Sequence, residues 1–273
     1  METSRDRALW NVVNKRSYEK QPQDAQRCIA AGANVNCQRP MDPYSDDIFK
    51  RTTPLLVAIS NHTPKLVKRL LELGADPNAE TGAYGERTVL HMASLHNQSE
   101  IVGMLIGAGV SLEHKDTIYG WTALHIAVGT GFFTQHKTVR MLIAKGANVN
   151  ATDHDGRTPL HIALDYFGTR NHSRLLEVLL AGGADLSAKT VDGMYPDASY
   201  VEQWRPDWDS DEHEGSDEDE RRRRDLKTLL DEERLRRGAR GLAFAMGQHE
   251  RLGVKSWVQY LEPDVVRMVM QYV

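Results

Sequence analysis

Three histidines stand at matching places in this chain: His91, His125 and His161, each closing a Thr-x-x-His tetrad. Imidazole is the commonest metal-binding side chain, so a ladder of histidines raises the question of a metal site. A second candidate is the tract Asp207 to Glu220, DWDSDEHEGSDEDE, with nine carboxylates in fourteen residues and no lysine or arginine. Carboxylates can hold Ca²⁺, but this tract lacks the ordered alternation of a calcium loop, and isolated acidic runs are usually solvated and disordered. It runs straight into Arg221 to Arg224. Those four arginines admit three readings: a nuclear-import patch, a nucleic-acid contact, or neutralisation of the acidic run beside them. The last weakens any nucleic-acid field, because phosphate affinity depends on uncompensated cations. Ser210 and Ser216, embedded among acids, fit acidophilic-kinase sites.

Patterns that carry catalysis are missing from the sequence. There is no phosphate-binding glycine loop, nucleophile elbow, metalloprotease helix or paired-cysteine zinc spacing. The two cysteines, Cys28 and Cys37, make no disulfide framework in 273 residues and suit a reducing compartment. Cys28, inside AQRCIAA, suits a small packing residue. A net charge of −4 argues against a nucleic-acid binder. The opening METSRDRALWNVV lacks a signal-peptide core, and no stretch reaches the roughly 18 apolar residues of a membrane helix. The expectation is a monomer without cofactor, metal, nucleic-acid or membrane partner. Its expected location is the cytoplasm, or the nucleus if the arginine run is an import signal.

The elements that position the histidines emerge from self-similarity. TPLLVAI begins at Thr53, TVLHMAS at Thr88, TALHIAV at Thr122 and TPLHIAL at Thr158, in steps of 35, 34 and 36 residues. Each is followed by an apolar helical run and then a Gly-Ala-Asp or Gly-Ala-Asn type signal, as in LVKRLLELGADPNA and VRMLIAKGANVNA. Ala25 to Asn36, AQRCIAAGANVN, repeats the second half alone. A threonine hydroxyl caps backbone donors, and proline fits the first helical turn. Gly74, Gly109, Gly146 and Gly183 stop the second helix of each unit, since glycine tolerates the left-handed conformation. The Asp or Asn that follows, and DHDG before Arg157, are turn chemistry. One unit of helix, turn, helix and hairpin finger cannot bury its own apolar face, so neighbours stack into a solenoid.

These motifs resemble the ankyrin repeat over roughly residues 20 to 197. The resemblance implies an all-α ankyrin-repeat solenoid whose function is non-catalytic protein–protein recognition. It also implies a structural role for His91, His125 and His161, bonding polar groups between helix starts. Their spacing equals the repeat, so one ion could not bridge them. In ankyrin proteins the positions flanking the finger glycine, and two late in the first helix, differ between partners. Mapped here, these are Tyr84 and Arg87; Leu95 and His96; Ile118, Tyr119 and Trp121; His154, Asp155 and Arg157; Asp165 and Tyr166. Exposed aromatics beside an arginine are what protein interfaces enrich. The alternative is that Tyr119 and Trp121 pack on the adjacent finger.

Departures from the repeat divide the chain further. Residues 1–37 form amino-terminal capping helices or a partial repeat, and 38–51 a long first finger. Residues 52–191 form four ankyrin repeats. The third and fourth carry about three extra residues between their helices, in GFFTQHKT and FGTRNHS. Residues 192–238 read as a split fifth repeat with an acidic, disordered insertion at 205–224. Its second helix would be DLKTLLDEERLRRG, with Leu226, Leu229 and Leu230 at helical spacing.

Residues 239–273 are read as a helical tail closing on LEPDVVRMVMQYV. From Val265 onward only Arg267 and Gln271 are polar, so the helix is apolar nearly all round and calls for burial. Leu261, Asp264, Val265, Val266, Val269, Met270, Tyr272 and Val273 fit the opening of an F-box, with Pro263 one position late. A full F-box continues for further helices. The tail thus resembles the truncated F-box-like module of poxvirus ankyrin proteins, which hook a target to the adaptor of a cullin-RING ubiquitin ligase. On that resemblance Leu261, Pro263, Val265, Val266, Val269, Met270 and Val273 would engage the adaptor. The alternative is that the tail caps the solenoid; a membrane-surface helix would need a basic face that is missing here.

Overall fold

The computed structural model describes residues 3–15, 19–38, 52–81, 85–130, 136–165, 172–196, 224, 227–233 and 235–236. Among the described residues up to 196, ten α-helices follow one another: α1 (Ser4–Val13), α2 (Gln21–Ala30), α3 (Pro54–Ser60), α4 (Pro64–Glu72), α5 (Val89–Leu95), α6 (Ser99–Gly107), α7 (Ala123–Gly129), α8 (His136–Ala144), α9 (Pro159–Asp165) and α10 (His172–Ala181). Among the described residues the extended backbone amounts to a single bridge between Glu80 and Thr88. The fold is therefore an all-α repeat solenoid. Two units are distinguished, Met1–Met194 and Tyr195–Val273. In the second, residues 227–233 are helical, as the leucine spacing predicts, with Leu229 half-buried and Leu230 buried. The long first finger beyond Gln38, the inter-helix insertions at 131–135 and 166–171, the acidic tract, the arginine run up to Arg223 and the tail lie outside the described residues.

Threonines begin the first helix of the repeats. Thr53 accepts a hydrogen bond from the Leu56 amide, and Thr122 accepts one from the His125 amide. Thr88 and Thr122 form reciprocal capping boxes in which the histidine three residues on bonds back to the threonine amide. The expected stops hold too: Gly74, Gly109, Gly146 and Gly183 have φ of +90°, +83°, +93° and +90°. A side chain there would be strained whatever the space around it.

One helix of the first pair is invisible to the repeat signature. Residues 3–13 carry no TPLH-like motif, yet α1 takes the place of a first helix and packs on α2. Its start is a capping box between Thr3 and Asp6, and the buried Asp6 carboxylate also accepts the Asn34 amide at 2.8 Å. The hydrogen bonds from Thr3 and Asn34 hold that carboxyl below its usual range.

The helices stack in two rows. The odd-numbered helices α1, α3, α5, α7 and α9 each pack on the next odd one, and the even-numbered α2, α4, α6, α8 and α10 do likewise. Leucine, isoleucine, valine and alanine fill the space between rows: Leu55, Ile59, Leu66, Leu70, Leu90, Leu105, Leu124, Leu142 and Leu160 are all fully buried. Small Ala58, Ala93, Ala127 and Ala163 recur at one position in the odd row and let successive helices approach closely. The helix–helix turns are stitched as well. Gln98 Nε2 donates to the Ile59 carbonyl at 2.8 Å and to His62 Nδ1 at 2.7 Å, and Thr138 Oγ1 donates to Asn97 Oδ1 at 2.7 Å.

Beyond the stop glycines a side-chain ladder joins one unit to the next. Asn36 Oδ1 accepts the Asp76 amide, Asn78 Oδ1 the Ser111 amide, and Asn150 Oδ1 the Asp185 amide, at 2.7–3.0 Å. Asn36 and Asn150 each use Nδ2 as well, donating to the carbonyls of Gly74 and Gly183 at 3.2 Å. Glu113 holds the same position and accepts the Asn148 amide at 2.8 Å. Its carboxylate has no hydrogen to offer the Gly146 carbonyl. Glu113→Asn supplies that donor, and a urea-denaturation series should show a gain of about 0.5 kcal/mol, near the low end for a net hydrogen bond at an exposed site.

Candidate functional site

The three recurrent histidines are fully committed within the fold. His91, His125 and His161 are each at most 1% exposed. In each, Nδ1 accepts the amide of the capping threonine (Thr88, Thr122, Thr158) at 3.1–3.2 Å and faces the same threonine's hydroxyl at 2.8–2.9 Å. Because Nδ1 accepts, Nε2 carries the hydrogen. It donates to a carbonyl of the next finger: Trp121 at 3.1 Å, Arg157 at 3.2 Å and Met194 at 3.3 Å. Among the described residues no group of three or more His, Cys, Asp or Glu side chains could hold a metal ion, and no helix is long and apolar enough to cross a membrane.

Four fingers are described in full or in part, each named here by its left-handed glycine: Gly85, Gly120, Gly156 and Gly193. Each closes on itself through a backbone bond from Thr81, Asp116, Asp153 or Thr190 to Arg87, Trp121, Arg157 or Met194, respectively. The last three also grip their predecessors: the Thr117 amide donates to the Gly85 carbonyl, His154 to Tyr119, and Val191 to Asp155, at 2.7–2.9 Å. Glycine is required at these tips by close approach. A Cβ on Gly85 would meet Ile118 at 2.7 Å, and one on Gly120 would meet His154 at 2.5 Å.

Two buried carboxylates that sequence reasoning did not single out organise these tips. Asp116 Oδ1 accepts the amides of Tyr119 and Trp121 at 2.8 and 3.3 Å, and Oδ2 pairs with Arg87 Nε at 3.1 Å. Asp153 Oδ1 accepts the amides of Asp155 and Arg157 at 3.0 and 2.8 Å. Its Oδ2 accepts Arg157 Nε at 3.0 Å and the Trp121 indole N–H at 3.2 Å. Both aspartates are buried, with side chains 0% exposed. The signal that could have found them is an aspartate five or six residues before the helix-starting threonine, at Asp116 and Asp153 alike.

The residues expected to meet a partner separate into two groups. Ile118 and Tyr119 are 53% and 50% exposed, and His154 and Asp155 beside them are exposed as well. Arg87, Trp121 and Arg157 are half-buried, with polar atoms engaged by the buried aspartates. Arg157 Nη2 also pairs with Asp155 at 3.2 Å. The Trp121 ring lies over Gly129, whose Cβ would come within 3.4 Å of it, and its centroid is 5.3 Å from that of Tyr119. Leu95 is half-buried at the end of α5, and His96 is exposed, edge-on to His62 at 5.4 Å. Burial, reinforced by His62, holds the His96 imidazole below its ordinary pKa. The backbone of Asp165 ends α9. Tyr84, Tyr166 and the tail positions Leu261, Pro263, Val265, Val266, Val269, Met270 and Val273 lie outside the described residues.

Comparison with known proteins agrees with this architecture. A family model described as ankyrin repeats (3 copies) matches residues 17–116 and 90–190. The chain is similar to the fowlpox virus (strain NVSL) ankyrin repeat protein FPV031, at 35% identity over 42% of this chain and 33% of that protein. It is 32% identical to the B-cell lymphoma 3 protein homolog of Mus musculus, over 52% of this chain and 31% of the relative. It is 35% identical to the E3 ubiquitin-protein ligase KEG of Arabidopsis thaliana, over 37% of this chain and 6% of the relative. The chain thus spans a third or less of the length of these relatives.

Burial makes the histidine ties sensitive to acid. Desolvation pushes the pKa of His91 and of His125 down from 6.5 to about 4, against the smaller raising effect of their carbonyl partners. The unfolded chain therefore takes up protons first. The stability is fully present above pH 6.5 and is lost as pH falls from there toward 4, at up to about 1.4 kcal/mol per pH unit per histidine. Urea midpoints measured from pH 7 to pH 4.5 should fall steeply. His125→Asn, although less stable at pH 7, should show a shallower slope over the same range.

Proposed function

The chain belongs to the ankyrin-repeat family, and from that premise we propose that it is a non-catalytic scaffold that binds a protein partner through its Gly120 and Gly156 fingers. Ankyrin repeats are protein–protein interaction modules, and the observation that favours these fingers is a pair of half-exposed apolar side chains on a fixed backbone. Ile118 and Tyr119 stand exposed on the Gly120 finger, while both backbone polar groups of Tyr119 are held, the amide by Asp116 and the carbonyl by the His154 amide. Large apolar groups on an ordered backbone are the usual anchors of a protein interface. His154 and Asp155, beside them, supply a polar rim. Leu95, His96, Asp165, Tyr166 and Tyr84 extend the same proposal to neighbouring repeats.

A second reading draws on the relatives. One carries the name of a ubiquitin ligase and another is a poxvirus ankyrin protein. In this reading the fingers hold a target, and Leu261, Pro263, Val265, Val266, Val269, Met270 and Val273 dock a cullin-RING adaptor in helix-in-groove fashion. The apolar run from Val265 to Val273 supports it, and supports a capping role for the tail equally.

Site-specific photocrosslinking separates surface from scaffold. A benzophenone side chain at Tyr119 should crosslink a protein in cell extract that the same probe at Arg174, exposed on α10, does not capture. Against that captured protein, purified, Tyr119→Ala and Ile118→Ala should each weaken binding about tenfold, the loss of an interface anchor, with the melting temperature kept. Equal crosslinking at both positions, or unchanged affinity in both alanine variants, would remove the finger proposal. Truncation after Glu262 tests the second reading. Adaptor binding by the full chain and not by the truncated one, with the same melting temperature in both, supports the hook; a sharp fall in melting temperature without adaptor binding supports a cap.

A further inference from the structure

Arg87, Trp121 and Arg157 occupy one repeat position, the residue before the helix-starting threonine. The first two reach forward into the next finger: Arg87 to Asp116 at 3.1 Å, and Trp121, through its indole N–H, to Asp153 at 3.2 Å. Each aspartate divides its oxygens in the same way. Oδ1 gathers two amides of its own tip, and Oδ2 takes the side chain arriving from the finger before. A continuous path results, Arg87 to Asp116 to the Trp121 backbone, then Trp121 indole to Asp153 to Arg157, and it crosses three fingers. In the Gly193 finger the aspartate position is Thr190, whose single side-chain oxygen accepts the Met194 amide at 3.1 Å. A hydroxyl offers no second carboxylate oxygen for a side chain arriving from the finger before, and Arg157 pairs with Asp153 and Asp155 of its own finger.

We propose that Asp116 and Asp153 are positioning residues that couple the Gly85, Gly120 and Gly156 fingers into one unit, so that Ile118–Tyr119 and His154–Asp155 are presented to a partner together, and that this coupling stops at Thr190. The proposal rests on reading the fingers as the partner-binding surface. Its physical content, however, is the order of the fingers in the free protein, which is measurable whether or not any partner binds there. The coupling has a physical basis in burial. Both carboxylates are removed from water, so losing Arg87 takes the charged donor from Asp116 Oδ2, losing Trp121 leaves Asp153 Oδ2 to Arg157 alone, and the tip amides on the same group must rearrange to compensate.

The test is amide hydrogen exchange on the full chain by NMR, together with the resonance of the Trp121 indole N–H. In Arg87→Met, exchange should speed up about tenfold at the amides of Tyr119 and Trp121 and roughly threefold at those of Asp155 and Arg157, as local opening of a linked unit requires. The indole resonance should shift although Arg87 bonds to Asp116 and the indole to Asp153, and amides inside α5, α7 and α9 should keep their rates. Faster exchange confined to Tyr119 and Trp121, with the indole unmoved, overturns the coupling. Uniform acceleration through the helices overturns it too, because Arg87 would then only support the fold. Should Arg87→Met fail to fold, Trp121→Phe removes one indole N–H and must still accelerate Asp155 and Arg157. Thr190→Asp supplies the missing second oxygen, so exchange at Met194 and Arg157 should slow severalfold; unchanged rates there would show that Thr190 is not the stop.

Discussion

A neutral imidazole, accepting at one nitrogen and donating at the other, is the tie on which the stack and its fingers both depend. In His91, His125 and His161 the accepting nitrogen completes the cap of its own helix, and the donating nitrogen holds the closing carbonyl of the next finger. No other common side chain offers one acceptor and one donor on opposite sides of a rigid ring without carrying a charge. A lysine or glutamate there would bring a charge into a site with almost no access to water, at a cost of several kcal/mol. The starts of α5, α7 and α9 are therefore each locked to a finger one unit away, and finger geometry inherits the regularity of the helix rows.

What could be read from the sequence was whatever one repeat requires of its own residues. A capping threonine, an alanine where helices approach and a glycine at left-handed φ are local demands, and their recurrence between Thr53 and Gly183 makes the solenoid legible. The helix α1 was not legible as a repeat helix because stacking constrains its buried face and not its signature. Leu9, Trp10 and Val13 fill that face without any TPLH, and Thr3 with Asp6 performs the cap by a different pair. Asp6 in this role could have been noticed, since a threonine followed three residues later by an acid before an apolar run is a helix-start pattern.

The finger positions show where such reading stops. Arg87, Trp121 and Arg157 look like interface residues by type, and only the partner of each side chain shows how it is used. Those partners, Asp116 and Asp153, lie 29 and 32 residues away from Arg87 and Trp121. No local pattern predicts which way an arginine turns when one acceptor is a buried carboxylate in the next unit and the other is solvent. Burial decides: a carboxylate cut off from water gains more from a charged donor than an exposed one does. Ile118 and Tyr119, by contrast, have no polar side-chain group that such a site could recruit except one hydroxyl, and they remain outward.

This division has a consequence for recognition. A binding loop that must be ordered on association spends part of its interaction energy on that ordering, at about 1–2 kcal/mol of backbone entropy per residue. Here the amides of Tyr119, Trp121, Asp155 and Arg157 are bonded to buried carboxylates, and those of Thr117, His154 and Val191 to the preceding finger, before any partner arrives. The buried carboxylates that do this organising are each paired with an arginine, Asp116 with Arg87 and Asp153 with Arg157, so they add little to the field outside. To the proposed partner, the Gly120 finger would then offer mainly shape and apolar area on a fixed backbone. Under that proposal, selectivity would come from fit, and altering Ile118 or Tyr119 would change the fit without removing the charge pairs that hold the backbone in place.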